Sequence, residues 1–258
     1  SMTEILSINP YWEKTAKSTR QHYYHFLLGV LLPLINWHKN HNESAVIESC
    51  KIFDKHIHAL QIPNLTIVED IDNPTKIIRG YDYPPEYDVA SIKSASNWLI
   101  DRVQPIPSTK FLLINRTTND FYKSSEYLPV VAGNTKNGSE RRSIPNFEEI
   151  CNRLNTESVE LENYDLFSQV ALFNSADIII AQHGAALSNL AFCKPETVVI
   201  EISSDFRDKK EYQGKHFSNL SHAMGLMKHI RIKQDSEHSP INIDSVMDAV
   251  KYALMILL

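Results

Sequence analysis

Glycine is scarce, at 7 residues in 258. A dinucleotide fingerprint (GxGxxG) and a P-loop (GxxxxGK[ST]) both depend on closely spaced glycines, and neither pattern occurs. Cysteine is scarcer: Cys50, Cys151 and Cys193 are the full set. An odd count without CxxC spacing gives neither a disulfide framework nor a zinc site, and fits a reducing compartment. Lys and Arg number 26 against 31 Asp and Glu, a formal net charge of −5. Without an excess of basic residues there is no electrostatic footprint for a phosphate backbone, so nucleic acid is not an expected partner. Long apolar runs are also missing. The most apolar early stretch, residues 26–35, falls far short of the roughly 20 residues that span a bilayer and contains Pro33. It is followed by Asn36-Trp37-His38 rather than a small-residue cleavage site, so neither an integral membrane segment nor a signal peptide is expected.

What is present is ordinary globular composition, 43% hydrophobic and 22% charged, enough for one large domain or two small ones. From Lys110 onward, short continuous apolar runs alternate with amphipathic segments: Phe111-Leu112-Leu113-Ile114, Ile178-Ile179-Ile180, Val198-Val199-Ile200 and Ile230-Arg231-Ile232. Continuous runs mark strands covered on both faces, as in a parallel sheet between helices, and a Rossmann-like half follows. Leu166, Val170 and Phe173 have helical spacing, and residues 146–154 offer another short helix. Ile243, Val246, Met247, Val250, Leu254 and Leu257 form one apolar stripe behind Asn242 or Asp244 as the cap. In the first hundred residues the pattern predicts a buried helix from residue 23 up to Pro33, a strand over 65–68 and a helix over 90–103. This half is also α/β, and residues 104–110, with Pro105 and Pro107, form the expected linker.

The segment from Asp177 through Gln182-His183-Gly184-Ala185-Ala186-Leu187-Ser188-Asn189 is a buried strand running into a small-residue turn and an expected helix. Such a turn lets backbone N–H groups approach a phosphate, helped by the helix dipole, at the carboxyl end of a parallel strand where ligands collect. Tight strand-to-helix packing would produce the same small residues.

The block from Leu166 through Gln169, then Ala176 to Asn189, Phe192 and Val198-Val199-Ile200-Glu201-Ile202, resembles the signature block of glycosyltransferase family 61. Upstream, Ile114-Asn115-Arg116 and Arg141-Arg142-Ser143-Ile144-Pro145-Asn146 resemble that family's R…R-x-I-x-N element. His22-Tyr23-Tyr24-His25-Phe26-Leu27 resembles its N-terminal element. The chain departs from the pattern at His22, in place of Asn, at Gly29, where an acidic residue is common, and at Phe147, in place of Glu or Asp.

The resemblance implies an inverting transferase of the GT-B type: two Rossmann-like halves around a cleft. These would be an acceptor-side domain over 3–104 and a nucleotide-sugar-binding domain over 105–240. A C-terminal helix over 241–258 would cross back onto the first half. It implies a nucleotide-sugar donor, UDP-linked by first expectation with xylose or N-acetylglucosamine as the sugar. The acceptor would be a glycan or protein hydroxyl, and the site metal-independent, with no cofactor.

Leaving-group chemistry calls for cations and N–H donors at the diphosphate, and a base at the acceptor hydroxyl. Arg116 and Arg142 are the leaving-group candidates, with Arg141 expected to be a solvated neighbour. His183 would donate to the diphosphate or the sugar, the Gly184 and Ala185 turn would approach the phosphate, and Ser188 and Asn189 would hydrogen-bond the donor. Glu201 suits the ribose hydroxyls, Gln169 would brace the donor loop, and His25 is the expected base. Asp70-x-Asp72 matches the short pattern of metal-dependent transferases, and equally a solvated acidic loop. Two other readings stay open: a non-catalytic sugar- or nucleotide-binding protein derived from the same fold, and a nucleotide-binding hydrolase or epimerase. The expected setting is cytoplasmic synthesis of surface or capsular polysaccharide, with an excised luminal domain of a secretory-pathway enzyme as the alternative.

Overall fold

The structure, a computed structural model, describes residues 2–11, 17–123, 136–204 and 214–258. It contains two parallel sheets. The first comprises β1 (Glu4–Asn9), β2 (Ala45–Glu48), β3 (Leu65–Val68) and β4 (Lys76–Arg79) in the order β3-β2-β1-β4. The second comprises β5 (Thr109–Ile114), β6 (Ser158–Val159), β7 (Ala176–Gln182), β8 (Val198–Ser203) and β9 (Lys228–Lys233) in the order β6-β5-β7-β8-β9. One row of its register reads Leu113, Ile180, Ile200, Ile230.

The continuous apolar runs explain why this second sheet is buried on both sides. Leu113, Ile178, Ile180, Val198, Ile200 and Ile202 point into one cluster. Their strand neighbours Leu112, Ile114, Ile179, Ala181 and Val199 point into another, which extends through the first sheet. The two sheets therefore share a core, bridged by α4 (Val89–Ile100) among others.

A helix over residues 23–40 begins as α1 (Tyr23–Phe26), passes through a π turn at Leu27–Leu31, and continues as α2 (Leu32–Asn40). The sequence pattern predicts that it ends at Pro33. The helix instead absorbs the proline near the start of α2, and the Leu28 carbonyl in the π turn accepts the Tyr81 N–H at 2.7 Å. Gly29 is set by packing: a Cβ there would stand 2.8 Å from Pro10 Cα, and one on Gly80 would stand 2.6 Å from Gly29 Cα. Helix, β1 end and β4 end thus meet backbone to backbone, and no acidic side chain fits at position 29.

The remaining helices are α3 (Asp54–Ala59), the single turn α5 (Gly138–Arg141), α6 (Phe147–Leu154), α7 (Leu166–Ser175), α8 (His216–Met224) and α9 (Ile243–Ile256). Side chains of Asp88, Asp165 and Asn242 cap α4, α7 and α9 by accepting the N–H groups of Ser91, Ser168 and Ser245. The expected helix after His183 is a 3-10 helix, Ala185–Phe192. The C-terminal helix does not cross back to the first half as expected. It packs on β8, β9 and α6, where Val246, Ala249, Val250 and Ala253 close the outer face of the second sheet. That face would otherwise expose the row of isoleucines just named, so the stripe is used locally. Among the described residues no helix is long and apolar enough to cross a membrane.

Candidate functional site

A pocket opens where segments following β1 and β2 meet the carboxyl ends of β5 and β7. Gln21, His22, Phe53 and His56 line one side; Ile114, Arg116, Gln182 and Ala185 line the other. Arg116, one residue beyond the strand extension at Asn115, donates from Nε to the Gly138 carbonyl at 3.0 Å. Its guanidinium occupies the space where a Cβ on Gly184 would stand. The glycine of the His-Gly-Ala turn is thus needed for the arginine, not for backbone freedom. Burial, reinforced by Arg142 and Arg141, lowers the Arg116 pKa to about 10. The group stays cationic at neutral pH, and among the described residues it forms no ion pair.

Arg142 also lines the pocket, bound through Nε to Glu237 at 2.7 Å. Arg141, which sequence placed in solvent, lines it as well, and burial and Arg142 lower its pKa. Three guanidinium groups and the Lys55 and Lys136 ammonium groups therefore border a pocket that has one lining carboxylate, Glu162, among the described residues. Burial raises the Glu162 pKa. Such a surplus of positive charge in a partly desolvated cleft suits a polyanionic ligand.

Around the central motif the structure reassigns several side chains. Glu201 is 0% exposed. Its Oε2 accepts His183 Nδ1–H at 2.6 Å and its Oε1 accepts His229 Nε2–H at 2.7 Å; His229 Nδ1 in turn faces Ser221 Oγ at 2.6 Å. Burial alone would raise the Glu201 pKa, but the two histidine hydrogen bonds outweigh it and hold it at about 2. Ribose hydroxyls cannot reach this carboxylate. It orients His183 through Nδ1, and the His183 ring packs edge-on against His216 and Phe217, with ring centroids 4.9 and 5.1 Å away.

Asn189 is likewise withdrawn from any donor. It is fully buried, accepts the Tyr23 O–H at 2.6 Å and donates to Gln169 Oε1 at 2.9 Å. Gln169 donates to the Leu161 and Tyr164 carbonyls at 3.0 and 3.1 Å. Tyr23 thereby ties the long helix to the turn of the second sheet. Ser188 is fully buried and its Oγ has no hydrogen-bond partner among the described residues. Of the turn residues expected at the ligand, Ala185 lines the pocket and Gly184 supports Arg116.

His25 projects from the last turn of α1 with a quarter of its side chain exposed. Its Nδ1 lies 2.5 Å from Oδ2 of Asp82, which is 0% exposed. Sequence reasoning missed Asp82: in Gly80-Tyr81-Asp82-Tyr83-Pro84-Pro85 it looks like one more turn residue. The imidazole is flanked by Tyr24, with ring centroids 5.1 Å apart, and by pocket-lining His22, 6.4 Å away. Burial lowers the His22 and His56 pKa values to about 4, so both are neutral at physiological pH.

Asp70 and Asp72 lie in an exposed loop after β3, where Glu69 pairs with Lys51 at 2.5 Å. No group of three metal-ligating side chains occurs among the described residues. A search of curated proteins finds no match. A model of the family Glycosyltransferase 61 matches residues 23–200, from the first residue of α1 to the middle of β8. That span covers more than half of the chain and takes in the arginine pocket, the His183 turn and the His25–Asp82 pair, so the chain belongs to glycosyltransferase family 61.

Proposed function

We propose that the protein is an inverting glycosyltransferase of the GT-B type, moving a sugar from a nucleotide-sugar donor to a glycan or protein hydroxyl without a metal ion. The observation that carries this reading is Arg116: a buried cation with no carboxylate partner among the described residues, flanked by two further arginines in the pocket between the halves. A leaving nucleoside diphosphate needs that charge, and three guanidinium groups supply what a divalent cation supplies elsewhere. Arg116 and Arg141 receive the diphosphate, and Arg142 adds to the field while tethered to Glu237; His183, its Nδ1 proton held by Glu201, keeps Nε2 as an acceptor and supports the turn beside the pocket.

On the acceptor side His25 is the base. The acceptor O–H gives its proton to the Nε2 lone pair as its oxygen forms the new bond to the anomeric carbon. The bond from that carbon to the phosphate oxygen breaks with its electron pair, which leaves on the diphosphate. A UDP-linked sugar is the first donor to test.

The test is calorimetric titration of UDP and UMP into the protein in EDTA. Tighter binding of the diphosphate, weakened at least about tenfold by Arg116→Ala, supports the reading. Equal affinity for the two nucleotides, or an Arg116→Ala variant that binds like wild type, removes the arginine cluster from the donor site.

A further inference from the structure

We propose that Asp82 is the positioning residue of His25, fixing the imidazole so that Nδ1 carries the proton and Nε2 presents its lone pair to the acceptor hydroxyl. The inference rests on the glycosyltransferase reading above and deepens it.

Asp82 is separated from His25 by 57 residues and enters from the segment after β4. It is wholly buried while the imidazole is a quarter exposed, so solvent and substrate reach the pair only across the ring. Both carboxylate oxygens are engaged: Oδ2 by His25 Nδ1, and Oδ1 by the Tyr11 backbone N–H at 2.5 Å. Gly80 makes room for this arrangement, since a Cβ there would stand 2.9 Å from Oδ1. The Asp82 carbonyl faces the Tyr24 hydroxyl at 3.5 Å, and that hydroxyl meets the Tyr87 hydroxyl at 2.7 Å. The side chain is therefore fixed through Oδ1 and the residue's own backbone, and it presents Oδ2 to His25.

A carboxylate accepts and does not donate, so this contact places the proton on Nδ1 and selects the tautomer in which Nε2 is the acceptor. When Nε2 takes the acceptor proton, the imidazolium charge forms beside the Asp82 carboxylate. The carboxylate thus stabilises the charge developed in the step without itself receiving a proton. Positioning by a buried acid is worth up to about 10⁴ in kcat in the best-studied hydrolytic triad.

The experiment compares full-length wild type, Asp82→Asn, Asp82→Ala and His25→Ala. Asp82→Asn is expected to lower kcat by about 10² or more while donor KM and nucleotide affinity stay within about twofold. Asp82→Ala is expected to regain activity when formate is added, whereas His25→Ala is not. As a readout independent of turnover, ¹⁵N-histidine-labelled protein is expected to show a strongly deshielded Nδ1 proton that is lost in Asp82→Asn and in His25→Ala. A fully active Asp82→Asn beside an inactive His25→Ala overturns the role of Asp82 alone. Parallel loss of nucleotide binding and kcat in Asp82→Asn makes Asp82 a fold residue and also overturns it. A wild type that shows the proton yet turns over no donor sinks the glycosyltransferase reading itself, and the base role with it.

Discussion

Gly184 illustrates how a residue can be legible in a sequence for one reason and be required for another. Its place in a small-residue turn after a buried strand pointed to an anion site, whereas the structure fills the missing side chain's volume with the Arg116 guanidinium. Gly184→Ala is therefore expected to displace Arg116 and weaken nucleoside diphosphate binding about as much as Arg116→Ala does, at little loss of thermal stability. Unchanged affinity in Gly184→Ala would detach the glycine from the arginine. Polar residues at strand ends were less readable. Glu201, Ser188 and Asn189 carry the same sequence signature whether they face a ligand or a neighbour, and their burial turned them inward. Asp82 had no signature, because its partner lies 57 residues away and the contact exists only once β4 returns beside β1.

At the scale of elements, periodicity located β5, β7, β8 and β9 of the second sheet, most clearly β7 and β8, which are buried on both faces; the two-residue β6 gives no pattern. The first sheet was harder. β2 and β4 are four residues each, their apolar stretches are no longer than Ala45-Val46-Ile47 and Ile77-Ile78, and Ile77 is 72% exposed, so each gives only a short signal. Pro33 is a stop signal in the sequence, but the π turn before it and the Tyr81 N–H on the Leu28 carbonyl accommodate the proline within one long helix. That helix lies against β1 only because Gly29 and Gly80 have no side chains. Gly29→Ala is predicted to destabilise the protein by about 1–3 kcal/mol through overpacking against Pro10, seen as a lower urea midpoint at unchanged slope. A midpoint equal to wild type would show that the backbone can yield there. The C-terminal helix shows the complementary limit: its stripe was clear, but a stripe alone does not say which sheet face it covers.

Across the whole molecule, the two sheets share one apolar cluster, and Tyr23, Asn189 and Gln169 form a hydrogen-bonded tie across the boundary. Buried titratable groups make that assembly acid-sensitive. His56 is 4% exposed, and burial lowers its folded pKa to about 4, below the unfolded value of 6.5. The unfolded chain therefore binds the proton first, and stability that is complete above pH 6.5 is lost as pH falls toward 4. This amounts to on the order of 2 kcal/mol between pH 6.5 and pH 5. Half-buried His22, also lowered to about 4 by burial, adds to the loss in the same window, and Glu201, held at about 2 against an ordinary 4.5, adds a further loss only below about pH 4.5. Urea unfolding at pH 7 and pH 5 is expected to show this drop in wild type and a smaller one in His56→Gln. Equal drops in both would assign the acid sensitivity elsewhere.

The central claim is the proposal that a metal-free arginine pocket and a histidine base together transfer sugar, and its most direct test is release of free nucleoside diphosphate from a panel of nucleotide-sugars in EDTA. The account predicts turnover of a donor from the panel, unaffected by EDTA, abolished in Arg116→Ala, and reduced in His25→Ala with nucleotide affinity retained. Nucleotide binding without turnover of any donor would contradict it and identify a binding protein on a transferase fold; turnover restored only when a divalent cation replaces EDTA would contradict the metal-free site.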